Sequence, residues 1–221
     1  NTASVFSVTT SCAGGVVMAS APVLDIQGGA LIDVSGPDGG GEALIGGGWQ
    51  GGNSAISNSQ QTIAQTGATV NADATGSGHG GTIALWSDGN TSTDATIVAR
   101  GGVQAGDGGQ IETSGKLWLG VTRAADASAR ALGGKAGEWL LDPNAIIIQT
   151  SPPAPTPLPS GGVYGGTPSP GASYIDAALL ATALQTSNIT VKTSGPAAAA
   201  TNEQDITVNS SVIKASGAKP E

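Results

Sequence analysis

Gly80-Gly81-Thr82-Ile83-Ala84-Leu85-Trp86-Ser87-Asp88-Gly89 and Gly106-Asp107-Gly108-Gly109-Gln110-Ile111-Glu112-Thr113-Ser114-Gly115 share one layout. A glycine doublet opens each, apolar residues then alternate with polar or small ones, and a Ser-containing Gly turn closes it. Alternation with period two is the mark of a strand with one buried face. The same reading extends to Ala30–Val34, Glu42–Ile45, Ala68–Ala72 and Ala95–Ala99. Apolar centres Ile32 and Ile45, Val70 and Ile83, and Ile97 and Ile111 stand 13, 13 and 14 positions apart. Such steps hold a strand and a corner but no crossover helix.

Spacing alone leaves antiparallel hairpins open, and Asp38-Gly39, Asp88-Gly89 and Asp107-Gly108 would suit their turns. The position of the glycines argues otherwise. They recur immediately before a strand, in Gly39-Gly40-Gly41-Glu42, Gly80-Gly81-Thr82 and Gly108-Gly109-Gln110, where positive φ at a sharp corner is expected of them. A corner repeated at the same place in every motif predicts a coil whose turns stack. With about 20–25 residues per turn and about 4.8 Å per stacked strand, some eight or nine turns would make a rod of about 40 Å.

Past Ile146-Ile147-Ile148 the composition changes. Thr150 to Pro159 reads as a polyproline-like excursion, continuing as a Gly/Pro/Ser loop to about Gly171. A helix is expected over Ser173–Gln185, with Ser173 as N-cap, Asp176 at N3, and Ile175, Leu179, Leu180 and Leu184 as its apolar stripe. Strands resume at Asn188–Thr193 and Asp205–Val208, and another is expected to begin over Ser211–Lys214.

Composition narrows the function classes. The 221 residues include 36 Gly and 12 Pro, and the aromatics are only Phe6, two Tyr and four Trp. The core must therefore be thin and built from Ala, Val, Ile and Leu, because a thick interior usually leans on large aromatics. The net charge of −8, with no block of like charge, argues against nucleic acid or an anionic membrane as partner. No apolar run is long enough to span a bilayer. Cys12 is the only cysteine, which excludes intramolecular disulfides and zinc clusters; a lone Cys is expected to be a small buried hydrophobe.

With these pieces in view, the chain resembles the filamentous-haemagglutinin family of two-partner-secretion exoproteins, large bacterial adhesins. The resemblance rests on Ile32-Asp33-Val34-Ser35-Gly36, Gly39-Gly40-Gly41-Glu42 with Ile45-Gly46-Gly47, Gly80 to Gly89, Ala99-Arg100-Gly101-Gly102, Gly106 to Lys116, and Gly134 to Pro143 with its Glu-Trp-Leu-Leu-Asp-Pro block. Together they cover about residues 23–148, and their order and spacing carry the match. It implies an all-β chain folded as a right-handed parallel β-helix with one short flanking helix and a Pro-rich loop insertion. The corresponding division is 1–148 β-helix, 149–172 loop or linker, 173–186 helix and 187–221 continuing turns. It also implies an outer-membrane two-partner-secretion transporter as export partner, a place outside or on the surface of a Gram-negative-type bacterium, and host or matrix glycans or proteins as attachment targets. The family's amino-terminal secretion domain is not matched, so the chain reads as an internal segment.

Parallel β-helices also include polysaccharide lyases and glycosidases, which need two carboxylates facing a sugar. Asp25, Asp33, Asp73, Asp88 and Asp94 are the candidates, yet most sit in corner motifs where Asp bonds to local backbone. His79, in Gly76-Ser77-Gly78-His79-Gly80, has no metal-ligating neighbour and reads as a solvated loop residue. No Gly-x-Ser-x-Gly elbow precedes a helix. Gly101 to Ile111 loosely resembles a calcium nonapeptide but lacks the tandem copies such sites share. Asn90-Thr91-Ser92, Asn188-Ile189-Thr190 and Asn209-Ser210-Ser211 fit the glycosylation sequon. Trp86 and Trp118 either stack on exposed faces, against a sugar or a neighbouring chain, or cap the core at corners; Trp139 belongs to the core.

The expectation is thus a cofactor-free, metal-free scaffold without catalytic residues, with a self-assembling fibre subunit and a β-helix lyase or glycosidase as alternatives. Val5 to Thr9 reads as an uncharged apolar strand with nothing before it to cap a stack, and Ser216 to Pro220 is too short to cover one. Continuation in a longer chain or end-to-end self-association is expected on that ground.

Overall fold

The computed structural model describes residues 12–154, 172–193 and 205–215, with the backbone of Val5–Ser7. Its strands in chain order are β1 (Val5–Ser7), β2 (Val16–Ala19), β3 (Val23–Ile26), β4 (Leu31–Asp33), β5 (Glu42–Ile45), β6 (Gln61–Ala64), β7 (Thr69–Asn71), β8 (Thr82–Ser87) and β9 (Asn90–Thr93). They continue with β10 (Thr96–Val98), β11 (Gln110–Gly115), β12 (Trp118–Val121), β13 (Glu138–Leu141), β14 (Ile146–Gln149) and β15 (Ser173–Asp176). A helix α1 (Ala177–Ala183) precedes β16 (Asn188–Val191) and β17 (Ile206–Val208).

One sheet has the order β1-β4-β7-β10, a second β16-β13-β11-β8-β5-β2, a third β12-β9-β6-β3, and a fourth β15-β14-β17. Up to β12 the chain therefore visits three sheets in rotation and returns to each beside its previous strand. Every pairing between these strands is parallel. The fold is accordingly all-β with parallel sheets, and the Asp-Gly pairs make no hairpin among the described strands.

The repeat is longer than the expected length of about 20–25 residues. Val16 pairs with Glu42, Thr82 with Gln110 and Gln61 with Asn90, so one circuit takes roughly twice the interval between apolar centres. That shorter interval joins strands of neighbouring sheets, so Ile97 and Ile111 are half a circuit apart. Two circuits are longer still: Glu42 finds its partner only at Thr82, because Gly46 to Ser59 is inserted, and Glu138 only at Asn188. Among the described residues the largest sheet has six strands, fewer than the expected eight or nine turns.

Side chains of one parity fill the core in register. Ala43, Ile83, Ile111 and Trp139 lie across neighbouring strands of the second sheet, all fully buried, with Ile45, Leu85 and Leu141 in the next row. Stacking like on like is what lets small aliphatic residues fill a narrow cross-section without voids. Trp139 is inside as expected, its indole N–H donating to Thr113 Oγ1 at 3.0 Å. Trp86 and Trp118 are also buried, 5% and 4% exposed, which removes them from the solvent-facing role considered for them.

The glycine doublets do a different job from the one expected. None of Gly40, Gly41, Gly80, Gly81, Gly108 and Gly109 has a positive φ. They are needed for want of space: a Cβ on Gly81 would stand 2.0 Å from the Gly41 carbonyl oxygen, and one on Gly109 would stand 2.1 Å from that of Gly81. Successive coils touch backbone to backbone at this corner.

Three further expectations are corrected. The helix does not begin at Ser173: residues 173–176 form β15, paired with β14, because the Ser173 hydroxyl accepts from Leu119 N–H at 2.9 Å and Ile175 is fully buried in the core. Asp176 is the N-cap, accepting from Ala178 N–H at 2.8 Å, and Ala177, Leu180 and Ala183 are the buried face. Asp176→Ala is expected to lower stability by about 1 kcal/mol, measured by denaturant titration. Ser211–Lys214 forms no strand. Cys12 is exposed rather than buried; it precedes β2, and its carbonyl oxygen accepts from Asp38 N–H at 2.7 Å. The expected loop over 155–171, the rest of the Val5–Thr9 strand and the Ser216–Pro220 stop lie outside the described residues.

Candidate functional site

The five aspartates nominated from the sequence are scattered over the stack, and each is engaged by neighbouring coils. Asp33 accepts from Ser35 N–H at 2.9 Å and from the Asn71 amide one coil on at 3.2 Å. Asp25 accepts from the Gln27 and Gln65 amides at 2.7 and 2.9 Å. Asp94 accepts from the Thr66 and Thr122 hydroxyls on the two flanking coils and lies 3.9 Å from Arg123. The Thr66 hydrogen bond first, then that of Thr122 and the charge of Arg123, hold its carboxyl below the usual carboxylate range despite some burial. Asp73 is buried and forms an ion pair with Arg100 at 2.6 Å, while accepting from the Arg100 backbone N–H at 2.7 Å. These are local turns and inter-coil ties, the geometry in which Asx side chains substitute for backbone partners.

Of the five, Asp88 borders a cavity. It accepts from the Asn58 amide at 3.1 Å and the Trp86 indole at 3.4 Å, at the rim of an open cleft of about 210 Å³ shared with Gln50, Lys116 and Asp142. His79 is exposed, and its Nδ1 accepts from Asp107 N–H at 3.0 Å. Among the described residues no cluster of His, Cys, Asp and Glu could hold a metal ion, and Gly101–Ile111 offers none. No helix among them is long and apolar enough to cross a membrane.

Chemistry the sequence reading missed lies beside this cleft, on the outer face of the second sheet. Residues of the parity opposite to the core line that face: Leu44, Ala84, Glu112 and Leu140 are in register from β5 to β13. The inserted segment Gly46–Ser59 covers them, with Ile56 packed on Leu44 and Ala84 as a second, small apolar cluster. Glu112 is fully buried there, and Gln50 N–H donates to its Oε2 at 2.7 Å. Burial pushes its carboxyl up to about 7, with Asp142 adding to the rise and Gln50 N–H, Ser114 and Lys192 opposing it. Lys192 Nζ stands 3.2 Å from Asp142 Oδ2 and 2.8 Å from Gln50 Oε1.

A carboxyl that holds its proton near neutrality beside a second carboxylate is what an acid–base pair needs. Here, however, Glu112 is sealed beneath the covering segment and does not border the cleft. A substrate in the cleft would meet Asp88, Asp142 and Lys116 without it. Period-two alternation turns Glu112 away from the core, and its cover comes from the connection between β5 and β6, two circuits earlier in the chain, so nothing near Glu112 in sequence marks it. A scan of the chain against protein-family models finds no match, and a search of curated proteins finds none either.

Proposed function

We propose that this chain is a shaft segment of a secreted bacterial surface adhesin of the filamentous-haemagglutinin type, coiled as a right-handed parallel β-helix and serving attachment or matrix association without catalysis. The observation that carries the reading is the engagement of the nominated carboxylates: Asp25, Asp33, Asp73 and Asp94 each tie one coil to another. Side chains committed to holding a stack together suit a protein whose product is its shape. Right-handed connection between parallel strands is the rule for such crossovers. The net charge of −8 and a surface made polar by Asn, Gln, Ser and Thr suit an extracellular setting. Export through an outer-membrane transporter and glycan or protein targets belong to the same proposal.

Purified protein incubated with acidic and neutral glycans is expected to release no reducing or unsaturated ends, while the immobilised protein retains glycans or matrix proteins from solution. Turnover that disappears in Asp33→Asn or Asp88→Asn would replace the scaffold by a polysaccharide lyase or glycosidase.

A further inference from the structure

The segment Gly46–Ser59 contains no ionisable side chain, yet it is seated over one. Its two ends are tied to each other, Ser59 N–H donating to the Gly46 carbonyl at 2.7 Å, so it forms a closed loop that can lift without breaking a strand pairing. Gly46, with φ of 76°, provides the sharp exit from β5. The loop is fixed at its tip by Gln50, which stands at φ 52° and ψ 28°, a conformation a residue with a side chain keeps only when its surroundings enforce it. Two contacts do so: Gln50 N–H on Glu112 Oε2, and Lys192 Nζ on Gln50 Oε1.

We propose that Gly46–Ser59 is a pH-governed cover on the outer face of the second sheet, seated while the Glu112 carboxyl is protonated and released as it ionises. Protonated on one oxygen, Glu112 still accepts from Gln50 N–H with the other and carries no charge into the buried layer. Ionised, it faces Asp142 at the end of β13, and the cation opposite, among the described residues, is Lys192 after β16, which Asp142 already engages. The other packed elements bring no charge that shifts Glu112: β5 and β8 present Leu44 and Ala84, the cover presents Gln50 and Ile56, and Ser114 is the neighbour on its own strand. Glu42 and Glu138 stand in the adjoining row of the same face, Glu138 accepting from Thr190, and Asp88, after β8, accepts from Asn58 of the cover at 3.1 Å. Asp88 and Lys116 border the adjoining cleft. Lifting the cover admits water to the carboxylate, the cheapest relief of its burial.

The direction follows from linkage. Seated, the carboxyl titrates at about 7; lifted and hydrated, it returns toward its ordinary 4.5. Between those values the seated state holds a proton that the lifted state lacks, so seating weakens as pH rises through the interval and is level on either side of it. The equilibrium for seating should fall about 70-fold from pH 5 to pH 8, if hydration is complete.

The test is amide hydrogen exchange on the whole chain, followed residue by residue by NMR from pH 5 to 8.5 and corrected for the intrinsic rate. Protection of the Gln50 amide is expected to fall by about that factor while that of Ile111, in the core beneath, does not. In Glu112→Gln it should stay high and level. Level protection in the unaltered chain, an equal fall in Glu112→Gln, or a parallel fall at Ile111 would each overturn the proposal. Lys192→Gln, at a partly exposed position, gives an independent reading should Glu112→Gln fail to fold. Losing that cation should lower Gln50 protection throughout and move the transition to higher pH; an unmoved transition counts against the cover.

Discussion

Gly109→Ala is expected to cost about 3 kcal/mol or more of unfolding free energy, although it adds a single methyl group. The new Cβ would stand 2.1 Å from the Gly81 carbonyl oxygen and 2.6 Å from the Gly80 carbonyl carbon. Overpacking is usually softened by a side chain turning aside, but here the obstacle is backbone. It is held from both directions, since Gln110 N–H donates to the Gly81 carbonyl at 2.9 Å and Glu138 N–H to that of Gly109 at 3.0 Å. The same contact recurs at Gly41 against Gly15 and at Gly137 against Gly109, so relief at one level would press on the next. Gly133 is the control, with φ of +82° and nothing within 4 Å of an added Cβ. Alanine there meets only conformational strain, about 1 kcal/mol. Urea titrations monitored by far-ultraviolet circular dichroism would compare the two, and a Gly109→Ala protein no less stable than Gly133→Ala would refute the contact argument.

Asp73→Ala should be nearly as damaging, by about 2–3 kcal/mol. Its side chain is 5% exposed, and its carboxylate neutralises the Arg100 guanidinium and accepts the Arg100 backbone N–H, all across one coil boundary. Arg130 Nη1 adds a second cation at 3.9 Å. Removal leaves two cations and a backbone donor at the edge of the core, and the partial exposure of Arg100 keeps the loss toward the lower end for a broken pair. Asp73→Asn, which retains an acceptor for the backbone N–H, should lose less. A double-mutant cycle with Arg100→Met would measure the coupling; additive losses would mean that the pair contributes nothing beyond its separate residues.

What could be read from the residues, and what could not, follows from how burial is achieved. Gln110–Gly115 alternates apolar with polar residues, and Ile83 and Leu85 alternate with Thr82 and Ala84, because one face of each strand is turned to the main core, and the pattern announces them although the other face is buried too. Asn90–Thr93 does not: Thr91 is buried with its hydroxyl donating to the Ser114 carbonyl at 2.8 Å and lying 2.9 Å from the Ser87 hydroxyl, so a strand of the stack reads as a polar loop and a sequon. Gln61–Ala64 is hidden in the same way, since Gln61 and Thr62 are fully buried polar residues, and Thr62 donates its hydroxyl to the Trp86 carbonyl of the next coil at 2.6 Å. A circuit exceeds the expected length of about 20–25 residues because it carries three strands with their corners, and the polar strands such as Asn90–Thr93 add length that the apolar centres do not mark. Glu112 was illegible for a further reason. Its environment is made by Gln50, Asp142 and Lys192, which come from three distant parts of the chain and share no local pattern with it.

The length of chain between partners such as Thr82 and Gln110 gives the stack an unusual exchange of length for force. A tension that peels one circuit from the edge frees chain able to extend by about 95 Å, at about 3.4 Å per residue, while the stack itself shortens by only about 4.8 Å. Because the next circuit keeps its pairings to the circuit beyond it, the event can repeat without the remainder giving way. A fold built like this yields to a sustained pull in increments, each lengthening the tether about twentyfold more than it diminishes the folded part, and so relaxes a load that would tear a single cooperative domain open at once.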